Sequence, residues 1–391
     1  MDDADLFDTM VVDCGGRLDT ASLHPDTAAS LNYVAGRARG FLKSAAAALP
    51  EMPPIYFDFV DNWSFNACAI RGGGKYFIGV TRGAVATLGV LFDRMLADPQ
   101  VLPFIGTPEE EVADLPLLPD IGTDFVRSVA AVPEFPRPQD PARKEMALRL
   151  AELALDFLTA HEFAHIANGH LDYLQANQGS LAIDEVRGAT WTPRTSETAL
   201  IYQTMEMDAD GTAVLISLVS EWGRVTGVNP RRGPEWEYTY SRPGLVSLMW
   251  SWAVSSLLRL FEEVRLTEGD TTLEDDHPSS RLRSVMIQQA AQRSPKPQGL
   301  GTHPAFRGEE PHKIPAIIAG RRDVETIFSQ LTGQPEATEG LDEAWGEVDR
   351  SQMYRLQNYW RTRLKGELLE FAYAPLSSYG DSDEEATGED S

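Results

Sequence analysis

The stretch from Pro141 to His170 constrains the fold more than any other. It begins at a proline, repeats Leu150, Leu153, Phe157 and Leu158 on one face, and runs unbroken into TAHEFAHIANGH, residues 159–170. That pattern predicts one long helix with an apolar face. A buried helix does not favour two histidines and a glutamate side by side, so His161, Glu162 and His165 need a reason to be there.

Positions i and i+4 of a helix lie on one face, about a turn apart. His161 and His165 can therefore present imidazole nitrogens to a single ion about 2 Å away, the bond length of tetrahedral zinc. Glu162 points slightly round the helix, where it can hold the activated water and take its proton. This is the HExxH arrangement of two ligands and a general base. The competing reading is an accidental pattern on an ordinary helix.

Catalytic zinc takes three protein ligands and keeps one position open. The metzincin solution is excluded: Asn168 and Leu171 stand where it needs Gly and His, and His170 comes one position early. A second helix is expected from about Ala199 to Trp222, and there TMEMDADGTAVLI places Glu206 and Asp210 four apart. Glu206 is the expected third ligand, with Asp210 accepting a hydrogen bond from the far nitrogen of a ligand histidine. A solvated acidic face is the alternative. Against it, Met205, Met207, Ala209, Ala213, Val214 and Ile216 surround the cluster and turn part of it inward.

The 391 residues, 42% of them hydrophobic, suffice for one large core or two modest ones. Lys+Arg 34 against Asp+Glu 59 leaves a net charge of -25, which argues against nucleic acid and anionic membrane surfaces as partners. Two cysteines, Cys14 and Cys68, make no disulfide framework and suit a reducing compartment. The acidic start MDDADLFDTMVVD lacks the features of a signal peptide. LVSLMWSWAVSSLL (245–258) is too short and too rich in serine to span a bilayer and reads as a buried helix. The expectation is a soluble, cytoplasmic protein.

The remaining pattern is α+β and mostly helical. Residues 26–49 read as a helix with an Asp start signal, 53–60 as a strand, and 66–80 as two strands about the Gly72–Gly74 turn, followed by a helix from Thr81. Residues 98–142, proline-rich with the acidic run Glu109–Glu111, read as a long loop or inserted subdomain. Residues 174–198 read as polar loop. Helices are expected at 245–263, after DDHPSSRLR, at 321–333 and at 342–373. The implied organisation is an N-terminal extension (1–25), a main domain (26–293), a linker (294–320), a helical C-terminal region (321–375) that packs on the core, and an acidic tail (376–391). His303–Pro304 falls in the linker and reads as loop.

HEFAH followed by EMDAD (206–210) resembles the gluzincin pattern of HtpX-type and CAAX-prenyl-protease-type zinc peptidases, in which HExxH is followed by ExxAD. FNACAIRGGGKYFIGVTRGAV (65–85) is similar to the strand–turn–strand ahead of that family's helices. DHPSSRLR is similar to its His-Pro element, giving His277, Pro278 and Arg283, and His170 also has a counterpart there. The similarity lies in scattered motifs between Pro54 and Arg293. The chain departs from membrane-bound members in lacking their transmembrane helices, in its 98–142 segment, and in about a hundred further C-terminal residues. DHPSSR and a soluble setting also resemble, more weakly, the Lit-type phage-exclusion peptidases.

The resemblance implies a zincin-like core and proteolysis, with one zinc ion per chain (Zn2+) on His161, His165 and Glu206 and Glu162 as general base. His277, Tyr202 and Arg283 are candidates to stabilise the oxyanion. His277 could instead simply start a helix, and Arg283 could pair with Asp210 or Glu206. The 66–80 hairpin is expected to offer an edge strand to a peptide substrate, with Asn66 and Ala67 near the cleft; the alternative is a purely structural hairpin. The leading function is a soluble zinc endopeptidase acting on a protein or peptide, regulated or defence-related, with room for a regulatory partner. The others are a non-catalytic binding or regulatory protein on the same scaffold, and a metal-free helical interaction protein.

Overall fold

In IYFDFV, ACAIRG and KYFIGVT successive side chains point to opposite faces, and here both faces find cover. The segments form β1 (Ile55–Val60), β2 (Ala67–Gly72) and β3 (Lys75–Thr81). They are seen in a computed structural model that describes residues 2–112, 115–118, 125–130, 135–184, 196–225, 243–267, 278–294, 313–333 and 347–377. β1 runs parallel to β3, and β2 antiparallel to it through a turn in which Gly73 and Gly74 take φ of 58° and 75°. Phe57, Phe59, Ala67, Ala69, Tyr76, Ile78 and Val80 face the main core. Val60, Cys68, Ile70 and Phe77 face a smaller cluster closed by Phe7 and Val11. Those two residues belong to α1 (Asp3–Val11), so the N-terminal extension is the cover of the sheet's outer face.

The strand order is β1-β3-β2-β4, where β4 (Ala182–Asp184) pairs antiparallel with Cys68–Ile70. The hairpin expected at the sheet edge is therefore interior along those residues: the backbone groups an added peptide would use already bond to β4. Three residues are too few to show a period, which is why β4 reads as loop in the sequence.

The helices are α2 (Pro25–Ala48), α3 (Arg82–Leu96), α4 (Phe125–Ala130), α5 (Pro141–Ala167), α6 (His170–Gln178) and α7 (Ser196–Val225). They continue as α8 (Pro243–Thr267), α9 (Ser280–Arg293), α10 (Lys313–Thr332) and α11 (Glu347–Tyr359), which passes through a π turn (Trp360–Leu364) into α12 (Lys365–Leu368). The fold is thus α+β and mostly helical. α2 starts one residue before its expected Asp signal, capped by His24 with Pro25 in the first turn.

α5 is the central element, packed by α3, α7, α8 and the sheet. Every residue from Phe157 to Ala167 is buried, so it is enclosed on all sides rather than along one stripe. α8 runs past the fourteen residues read from the sequence: its span Gly244–Val264 is long and apolar enough to cross a membrane, yet it is mostly buried inside the fold, as a buried helix was expected to be, which fits a soluble protein. Trp250, Trp252, Leu257, Leu258 and Leu260 are all in the core.

The segment after α3 is organised by one side chain. The Arg143 guanidinium, fully buried near the start of α5, donates to the carbonyls of Leu96, Asp98, Val101, Leu102 and Ile105. Its charge is met by Glu111 at 3.5 Å, whose carboxylate also accepts the amides of Gln139 and Asp140. Gly106 is obligatory there: at φ 62°, a Cβ would stand 2.1 Å from the Asp140 carboxylate that caps α5. Val101, Leu102, Ile105, Leu118, Phe125 and Val129 join the main core, so the described parts of 98–142 are built into it.

The C-terminal helices join the same core through Ile317, Val324, Phe328 and Leu331, and through Met353, Leu356, Trp360, Leu364 and Leu368. α10 starts at Lys313, inside the stretch read as linker, because Pro315 falls in its first turn, where a missing N–H costs nothing. His303–Pro304 and residues 378–391 lie outside the described residues.

Arg143→Ala should lower the unfolding free energy by about 3 kcal/mol or more, and Arg143→Lys should not restore it, because an ammonium cannot reach five carbonyls. Urea unfolding checks this; a loss below about 1 kcal/mol would deny Arg143 its organising role.

Candidate metal centre

α5 and α7 pack side by side, with Glu206 opposite His161 and His165 at one end and Glu221 opposite Arg149 at the other. His161 Nε2 lies 2.9 Å from His165 Nε2. The Glu206 carboxylate lies 3.2 Å from the first and 3.3 Å from the second. Bonds of about 2.1 Å at tetrahedral angles separate ligand atoms by about 3.4 Å, so this spacing fits one zinc-sized ion at their centre. Among the described residues this is the one group of three His, Cys, Asp or Glu side chains so arranged. Burial pulls the His165 imidazole down to about 4, against the opposing pull of Glu206, and the neutral ring is the form that ligates. Donor set, spacing and charge state all suit zinc.

Each imidazole is held from behind. His161 Nδ1 is 3.0 Å from Asp210 Oδ1. Asp210 is gripped in turn by Arg283 of α9, whose Nε and Nη2 donate at 2.9 and 2.7 Å to its two oxygens. Nη2 also lies 3.8 Å from Glu206, so Arg283 faces both carboxylates that it was expected to choose between. The Phe157 ring stands beside His161 and packs edge-on against Trp250, which fixes the wall of the site. His165 Nδ1 faces the Nδ1 of His170 at 3.0 Å.

Glu162 follows His161 on α5, and His161, Glu162, His165 and Glu206 are each at most 1% exposed. In this conformation the centre is closed to solvent. Tyr202, one turn ahead of Glu206 on α7, is buried as well. Ala67 opens β2, and Asn66 directly precedes it. Asn66 accepts the Thr81 amide and hydroxyl on its carbonyl and the Ala67 amide on its side chain, contacts that serve the hairpin, while Ala67 pairs with Val80. His277 lies outside the described residues.

In the sequence Asp208 reads only as a member of the acidic cluster, with no role of its own. It lies two positions from both Glu206 and Asp210, off their shared face, and turns to His170 and Asn168 instead. The signal was present in EMDAD, where a third carboxylate amid buried neighbours also needs a partner.

No protein-family model, curated protein or solved structure matches this chain, so the class of the site rests on its own geometry.

Purified protein should carry about one zinc ion per chain, and Glu206→Ala should abolish it while the fold persists. Elemental analysis decides. A folded wild type that takes up no zinc even when it is supplied would reduce the cluster to a buried polar network.

Proposed function

We propose that this protein is a zinc-dependent endopeptidase. The observation that carries the reading is the convergence of His161, His165 and Glu206 at tetrahedral spacing, with Glu162 next to the first ligand on the same buried helix. The resemblance of HEFAH and EMDAD to the gluzincin pattern supports the same reading.

The chemistry divides among named groups. His161, His165 and Glu206 hold the ion. A zinc ion in that position supplies Lewis acidity, polarising a peptide carbonyl and acidifying a water. Glu162 takes the proton of the attacking water and returns it to the departing amine. Asp210 keeps the His161 ring in place, and Arg283 keeps Asp210 oriented. Arg283 is committed to two carboxylates, which favours this supporting role over oxyanion stabilisation. The substrate is a protein or peptide, and a cytoplasmic setting is part of the proposal.

Burial of all four central side chains means hydrolysis requires a conformer in which the cleft opens. A regulated peptidase, quiet until a partner or substrate shifts that balance, accommodates this directly. The same burial favours a second reading, a regulatory protein that keeps the metal for structure and cleaves nothing.

Glu162→Gln separates the two. On the peptidase reading zinc content stays and cleavage falls about a hundred- to ten-thousandfold. Mass spectrometry of a mixed-sequence peptide library provides the assay. Zinc-loaded wild type that cuts no peptide would favour the second reading, and activity surviving in the Gln variant would remove Glu162 as the base.

A further inference from the structure

An imidazole that offers Nε2 to a metal keeps its one proton on Nδ1 and must donate it to something. For His161 the group facing Nδ1 is the Asp210 carboxylate, 3.0 Å away. For His165 it is another ring, His170 Nδ1 at 3.0 Å. If His165 donates there, His170 Nδ1 is bare and its proton sits on Nε2, which lies 3.2 Å from Asp208 Oδ2. Asp208, fully buried, gathers two further donors: Asn168 Nδ2 at 2.6 Å on Oδ2, and the Ser377 hydroxyl on Oδ1.

Ser377 comes from 169 positions beyond Asp208. The segment that brings it is docked onto the end of α5 itself. The amides of Tyr373 and Ala374 both donate to the Ala167 carbonyl, at 2.8 and 3.0 Å. Gly169, at φ 79°, leaves room for this: any Cβ there would stand 2.5–2.7 Å from Phe371. Tyr373 also meets the Tyr76 hydroxyl of β3 at 2.9 Å, and the Trp360 indole donates to the Ser377 carbonyl at 3.4 Å.

We propose that Asp208 and His170 are positioning residues that set the ring tautomer and orientation of His165, and that the C-terminal segment 371–377 completes this chain through Ser377. The inference rests on the metal reading of His161, His165 and Glu206. It makes metal affinity a property of residues that touch no metal, one of them near the far end of the chain.

The test is zinc affinity of the metal-free full-length protein, by competition with a chromophoric chelator. The visible spectrum of the cobalt-substituted form serves as a second readout of ligand geometry. His170→Phe keeps a ring but offers no acceptor, and should weaken binding about 10- to 100-fold with an altered cobalt spectrum. His170→Gln restores an acceptor oxygen and should recover most of that loss. Ser377→Ala, at a partly exposed position, should cost about three- to tenfold in zinc affinity by removing one hydrogen bond to Asp208. Should His170→Phe fail to fold, Ser377→Ala and His170→Gln against wild type still decide. Wild-type affinity and spectrum in both His170→Phe and Ser377→Ala, beside a Glu206→Ala control that has lost zinc, would overturn this inference and leave the metal reading intact. A wild type that binds no zinc would overturn both.

Discussion

Asp210 is where the structure is most exacting. Its carboxylate is fully buried, accepts both nitrogens of the Arg283 fork and stands 3.0 Å from His161. A charge taken that far from water costs several kcal/mol unless it is paired and hydrogen-bonded at once. Meeting the requirement ties three helices, α5, α7 and α9, to a single point. The positions of His161 and of Glu206, one turn up the helix, follow from it.

The polar end of the α5–α7 pair is enclosed by apolar packing, and the enclosure gives the polar contacts their strength. Phe157 and Trp250 wall one side, and the inner face of the sheet lies along another. Trp250 is itself oriented by its indole proton, which the Ser217 hydroxyl accepts. The other end of the pair is also charged and lies beside a cavity. There Arg149 bonds Glu152 and Glu221, and Arg37 bonds Asp156, around a cavity between α2, α5 and α7. Asp156, partly buried at the cavity, has its carboxyl raised by desolvation against the pull of Arg37. Both ends pair buried carboxylates with arginine, and what separates them is the two imidazoles at the first.

Much of this was legible in advance because short-range rules govern it. Alternation in IYFDFV and KYFIGVT marks strands, four-residue spacing puts His161 with His165 and Glu206 with Asp210, and crowding by Met205 and Met207 turns the acids inward. What escaped depends on contacts between distant positions. No local period reveals that Ala182–Asp184 covers β2, or that Ser377 reaches Asp208. Arg143 reads as an ordinary charge on the first turn of a helix until five carbonyls from residues 96–105 are found around it. α1 was missed for a simpler reason: its acids dominate the composition, while only Phe7 and Val11 carry its packing.

α8 carries a consequence for how the chain is made. Among the described elements its most extensive partner is α10, which begins roughly fifty positions after α8's apolar span ends, so at about 5–20 residues per second the span waits several seconds for its cover. During that interval the face of α8 that α10 covers stays bare, while its other faces can already pack on α5 and α7. The order of synthesis therefore leaves an apolar strip of α8 to be closed last, when residues 313–332 emerge.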